Sequence, residues 1–97
     1  MTRLAGKIAI VTGAARGMGA AISRRFAEEG ATVALTDVLP EVDATAQAIG
    51  PAATAYRHDV SDESRWQEVV DAVVARHGRI DVLVNNAGIL MFKDLLA

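Results

Sequence analysis

Lys7-Ile8-Ala9-Ile10-Val11-Thr12-Gly13-Ala14-Ala15-Arg16-Gly17-Met18-Gly19 is the stretch that decides the fold. Lys7 to Val11 is a short, nearly continuous apolar run rich in branched residues, which reads as a strand buried on both faces. It leads into Thr12 to Gly19, where the glycines are spaced G-x-x-x-G-x-G at the junction of strand and helix. In such a turn the first glycine permits a tight bend and the second lets backbone approach a pyrophosphate. The third lets the helix pack closely on the strand. The helix N-terminus adds unpaired N–H groups and a partial positive charge suited to phosphates.

Working outward, the period changes regularly. From Met18 to Glu29 the apolar Met18, Ile22 and Phe26 recur every fourth residue with Ala21 beside them, and Gly30 is placed to end the helix. Thr32 to Asp37 is the next strand. Leu39-Pro40 breaks the chain, Glu41 to Ile49 forms a short helix with Val42, Thr45, Ala46 and Ile49 on one face, and Gly50-Pro51 stops it. Ala53 to His58 is a third strand, recognised mostly by its place between two helices. The following helix is the clearest: Ser61 is placed to cap it, and Asp62 and Glu63 sit in its first turn. Trp66, Val69, Val70, Val73 and Val74 follow the helical spacing, with Arg76, His77 and Gly78 at its end. Trp66 is expected in the core. Ile80 to Val84 is a fourth strand and Asn85-Asn86-Ala87-Gly88 a turn. The order βαβαβαβ with short connections predicts an α/β fold of Rossmann type: the first four strands of a doubly wound parallel sheet.

The chain has 97 residues, 52% of them apolar and 23% charged, enough for the core of one domain. A formal charge of −2 gives no electrostatic footprint for nucleic acid or an anionic membrane, so neither is expected as a partner. With no cysteine there is no disulfide, thiolate metal site or Cys nucleophile. The apolar run after the N-terminus is too short for a signal peptide or membrane span, and a cytoplasmic protein is the expectation. His58 and His77 share no metal-ligand spacing with a carboxylate, so no metal site is expected.

Asp37 is a second, independent signal. It lies at the end of the second strand, 18 residues beyond Gly19. An acidic residue at about that distance is placed to accept hydrogen bonds from an adenosine ribose, and its charge repels a 2′-phosphate, which favours NAD over NADP. Arg16 argues the other way, since a guanidinium in the phosphate turn can bind a 2′-phosphate. The residue after Asp37 is Val38, so no second cation is expected to join Arg16.

Thr12-Gly13-x-x-x-Gly17-x-Gly19, Asp59-Val60 after the third strand and Asn85-Asn86-Ala87-Gly88 after the fourth, in this order and spacing, resemble the short-chain dehydrogenase/reductase family. The resemblance runs from Leu4 to about Ile89. It implies that Asp59 hydrogen-bonds the adenine amino group, that Val60 packs on the ring, and that Asn86, Ala87 and Gly88 lie along the adenosine ribose and support the central sheet. The expected cofactor-binding set is then Gly13, Arg16, Gly17, Met18, Gly19, Asp37, Val38, Asp59, Val60, Asn86, Ala87 and Gly88. All of these sit beyond the carboxyl ends of strands, where open parallel sheets collect ligands.

The resemblance also implies hydride transfer between NAD(P) and a secondary alcohol or ketone, carried out by a Ser and a Tyr-x-x-x-Lys pair. The one tyrosine, Tyr56, has Val60 four residues on, and Lys7 and Lys93 belong to no such pair. Ser23, Ser61 and Ser64 match no catalytic position. No catalytic residue is therefore expected in these 97 residues, which read as a single cofactor-binding domain truncated before the catalytic half. A homo-oligomer is expected for the full-length protein. For the isolated piece, self-association or instability is expected, because Val82-Leu83-Val84 would form an under-covered edge. Two alternatives fit less of the chain. A non-catalytic nucleotide- or protein-binding module would make the 97 residues complete, and a methyltransferase or flavin protein on a similar sheet leaves Asp59-Val60 and the Asn-Asn-Ala-Gly turn without a purpose.

Overall fold

The computed structural model describes residues 3–57 and 62–85. Its elements run β1 (Ile8–Thr12), α1 (Gly17–Glu28), β2 (Thr32–Asp37), α2 (Glu41–Ile49), β3 (Ala53–Arg57), α3 (Glu63–His77) and β4 (Val82–Val84). The strands form one parallel sheet in the order β3-β2-β1-β4. The chain winds outward from β1 to β3 and then returns to add β4 on the other side of β1. This is the expected doubly wound α/β arrangement, and its switch point falls between β1 and β4.

Every residue of β1 is buried, as the unbroken apolar run predicts. Successive side chains alternate between the two faces of the sheet. On one face Val11, Val33 and Leu35 pack with Val42 and Ala46 of α2, and Ile22 and Phe26 of α1 close over them. On the other, Ile8, Ile10, Ala34 and Leu83 pack with Val69 and Val73 of α3, flanked by Trp66 and Tyr56. Full burial of an aliphatic side chain is worth roughly 1.5–3 kcal/mol, so the fully buried Val69 and Val73 suffice to fix the rotation of α3.

Several details differ from the sequence reading. Met18 is 61% exposed rather than part of the buried stripe of α1; the face that meets the sheet carries the buried Gly19 and Ser23 instead. Ser23 tolerates burial because its hydroxyl donates to the Gly19 carbonyl at 2.8 Å. In α3 the outer Val74 is exposed, and Trp66 is half-buried at the rim of the core. The N-cap of α3 is Asp62, whose Oδ1 accepts the Arg65 N–H at 3.0 Å; Ser61 lies outside the described residues, as does His58 beyond the end of β3. β4 is the edge of the described sheet, as expected, but Leu83 and Val84 are buried, each facing a different helical layer, and Val82 is half-buried.

The amino end of the sheet is tied by a polar clamp. Asp81 Oδ2 accepts the Ile8 N–H at 2.8 Å and the Arg79 Nε–H at 2.8 Å, while Arg79 also donates to the Gly6 carbonyl at 2.6 Å. Partial burial pushes the Asp81 carboxyl up. The hydrogen bonds from Arg79 and Ile8 and the charges of Arg79 and Lys7 outweigh it, holding the group below the usual carboxylate range.

Candidate functional site: a glycine turn at the carboxyl end of the sheet

The turn between β1 and α1 is built by its glycines. Gly13 and Gly17 have φ of 61° and 63°, in the left-handed region. A Cβ on Gly19 would stand 2.1 Å from the Gly13 carbonyl oxygen and 2.8 Å from its carbon, so only glycine lets α1 press this closely on the turn. A Cβ on Gly17 would meet nothing within 4 Å. The turn is thus closed on its inner side and open at Gly17, the shape required of a cradle for an incoming group.

The N-terminus of α1 presents its first N–H groups at this opening. Its N-cap, Arg16, makes no side-chain cap hydrogen bond, and the first turn holds no acidic residue. By contrast, α3 is capped by Asp62, and α2 carries Glu41 and Asp43 in its first turn. The exposed Arg16 places its cation at the same end of the sheet.

Three further elements hold the cradle. Asp37 accepts the Ala15 N–H at 3.0 Å through one oxygen and the Leu39 N–H at 3.1 Å through the other. The Ala14 N–H donates to the Thr36 carbonyl at 3.0 Å, and the Thr45 hydroxyl of α2 donates to the Ala15 carbonyl. On the opposite side Thr12 Oγ1 lies 3.2 Å from Asn85 Oδ1 and 3.4 Å from the Val84 carbonyl, which joins the turn to the end of β4 across the switch point. Asp37 is therefore a structural brace as well as a ribose candidate. A carboxylate has about four lone-pair sites, and two bonds leave capacity for a ribose hydroxyl.

The structure brings together Gly13, Arg16, Gly17, Met18, Gly19, Asp37 and Val38 at one end of the sheet. Met18 and Val38 are 61% and 56% exposed there, apolar surface of the kind that packs on a base or ribose. Asp59, Val60, Asn86, Ala87 and Gly88 lie outside the described residues. Linear reading missed one neighbour. Arg57 is the β3 residue in register with Asp37, so a second cation stands beside Asp37 from the adjacent strand, not from the position after it. In the sequence Thr45 is only a helix-face residue; its bond to the turn follows from how α2 folds back. Among the described residues no group of His, Cys, Asp or Glu side chains could hold a metal ion, and no helix is long and apolar enough to cross a membrane.

Residues 7–97 match the short chain dehydrogenase family. The chain belongs to that family. Among curated proteins, the sex determination protein tasselseed-2 of Zea mays is 50% identical over 90 residues, covering 91% of this chain and 27% of that protein. Galactitol 2-dehydrogenase of Agrobacterium fabrum is 48% identical over 88 residues, 90% of this chain and 34% of its own length. Momilactone A synthase of Oryza sativa subsp. japonica is 44% identical over 89 residues, 90% and 32% respectively. The chain thus spans roughly a third of the length of these relatives, and the shared third is the part that builds the glycine turn. The cradle fits the family's NAD(P) cofactors: the open Gly17 side and the uncapped α1 suit a pyrophosphate, and Asp37, braced on the same turn, keeps acceptor capacity for a hydroxyl.

Proposed function

We propose that this chain is the cofactor-binding part of an NAD-dependent oxidoreductase acting on a secondary alcohol or ketone. The observation that carries the reading is the uncapped N-terminus of α1, open at Gly17, with Asp37 braced against the same turn. Gly17, Met18 and Gly19 would offer backbone N–H groups to the pyrophosphate, Asp37 would accept the ribose hydroxyls, and Val38 would pack on the adenosine. When bound, the nicotinamide would supply the hydride chemistry. The residues of this chain position the cofactor and exclude water from its adenosine end. Family membership supports use of NAD or NADP. The choice of NAD rests on Asp37, whose negative charge at the ribose disfavours a 2′-phosphate.

The test is calorimetric titration of the protein with NAD and with NADP. The expected result is tighter binding of NAD and a loss of about tenfold in that preference in Asp37→Ala. Equal affinities for the two cofactors would remove the NAD assignment, and binding of neither would remove the whole reading.

A further inference from the structure

The carboxyl ends of β2 and β3 bring a cation to the ribose candidate that Asp37 alone does not account for. Asp37 and Arg57 are register partners in neighbouring parallel strands, so their side chains leave the same face of the sheet from backbones about 4.8 Å apart. The Arg57 guanidinium has one ion-pair partner among the described residues, Asp43 in the first turn of α2. That contact is a single one of 3.5 Å, and both side chains are 60% exposed. A guanidinium has five donors arranged as a fork suited to phosphate, and this geometry uses few of them. Arg65, the other arginine close by, is committed: it donates to the Arg57 carbonyl at 3.1 Å and pairs with Glu68 at 3.4 Å.

We propose that Arg57 is a specificity-determining cation of the adenosine-ribose site and that Asp43 governs it. This rests on the cofactor reading above. With the pair intact, Asp43 holds the guanidinium on the α2 side and adds its own negative charge, so a 2′-phosphate meets two carboxylates, Asp37 and Asp43, and an occupied cation. With the pair broken, Arg57 is free to turn toward a group carrying about −1.5 to −2 charges. An exposed ion pair of this length contributes little to folding. Its removal therefore redistributes charge at the site without dismantling α2 or β3.

The experiment is a double-mutant cycle read as the ratio of NADP to NAD dissociation constants by calorimetry, in the wild type, Asp43→Asn, Arg57→Gln and the double variant. Asp43→Asn is expected to move the ratio about fivefold toward NADP, and the same replacement in the Arg57→Gln background by less than about twofold. An equal shift in both backgrounds would assign the effect to the lost Asp43 charge alone and overturn the role of Arg57. An unchanged ratio in Asp43→Asn would overturn the proposal while leaving cofactor binding in place. A wild-type protein that binds neither cofactor would overturn the cofactor reading and this inference with it.

Discussion

The carboxylate of Asp37 accepts the backbone N–H of Ala15 at 3.0 Å, so the residue proposed to receive the ribose also fixes the turn proposed to receive the phosphates. Its second oxygen takes the Leu39 N–H at 3.1 Å, which starts the bend from β2 into α2. The two functions separate in Asp37→Asn. An amide has one acceptor oxygen, so one of the two N–H groups loses its partner, and the charge is gone. The expected outcome is a stability loss of about 1–2 kcal/mol by chemical denaturation, together with weaker NAD binding. A variant of wild-type stability would show that water replaces the brace at no cost.

Gly17 and Gly19 are expected to fail in different ways. A methyl at Gly19 collides with backbone of Gly13 and Ala14, which no side-chain rotation relieves, so α1 must move off the turn. Gly19→Ala should cost about 3 kcal/mol or more in denaturation experiments, at the upper end for overpacking. Gly17→Ala meets open space and pays only for its left-handed φ of 63°, about 1 kcal/mol. Its methyl would fill the cradle, so the larger loss should appear in cofactor affinity. Similar stability losses in the two variants would contradict this assignment.

Asp81 makes the amino end of the sheet sensitive to acid. Its folded pKa lies below its unfolded value, so its contribution is present above the unfolded pKa of about 3.9 and is lost as pH falls through the folded value. Asp81→Asn should therefore be destabilised by about 1–2 kcal/mol at pH 7 through the lost charge-assisted bond to Arg79. The gap from the wild type should close as the pH falls through the folded value, as read from urea midpoints across the acid range. A gap independent of pH would place the effect in packing rather than charge.

Most of the fold was legible because its signals are local. β1 reads as buried on both faces from five consecutive residues, and the bounds of α2 follow from Pro40 and Gly50. The period of α1 is legible too, since Ile22 and Phe26 pack on the core, but the centre of its buried face is not. The bulky Met18 points to the wrong side, whereas Gly19 and Ser23 face the sheet because small residues are what permit the close approach. Arg57 was invisible for a different reason. Its relation to Asp37 exists only through the register of two strands separated by a helix, and a search among linear neighbours finds Val38 instead. The bracing role of Asp37 is hidden likewise, since the Ala15 N–H reaches it only once the turn has folded over the end of β2.

Ser23 tests whether close approach, rather than polarity, is what the inner face of α1 requires. The residue is fully buried, and its hydroxyl donates to the carbonyl one turn back in its own helix. Ser23→Ala removes a donor and leaves no buried partner stranded, because a helix carbonyl one turn back retains its backbone N–H bond, and alanine is the better helix former. Its stability should stay within about 0.5 kcal/mol of the wild type. Ser23→Leu removes the same hydroxyl but adds volume where α1 lies against the sheet, and should cost about 1–3 kcal/mol. If Ser23→Ala proved the more damaging of the two in thermal denaturation, the hydroxyl would be structural and the packing argument for α1 would fail.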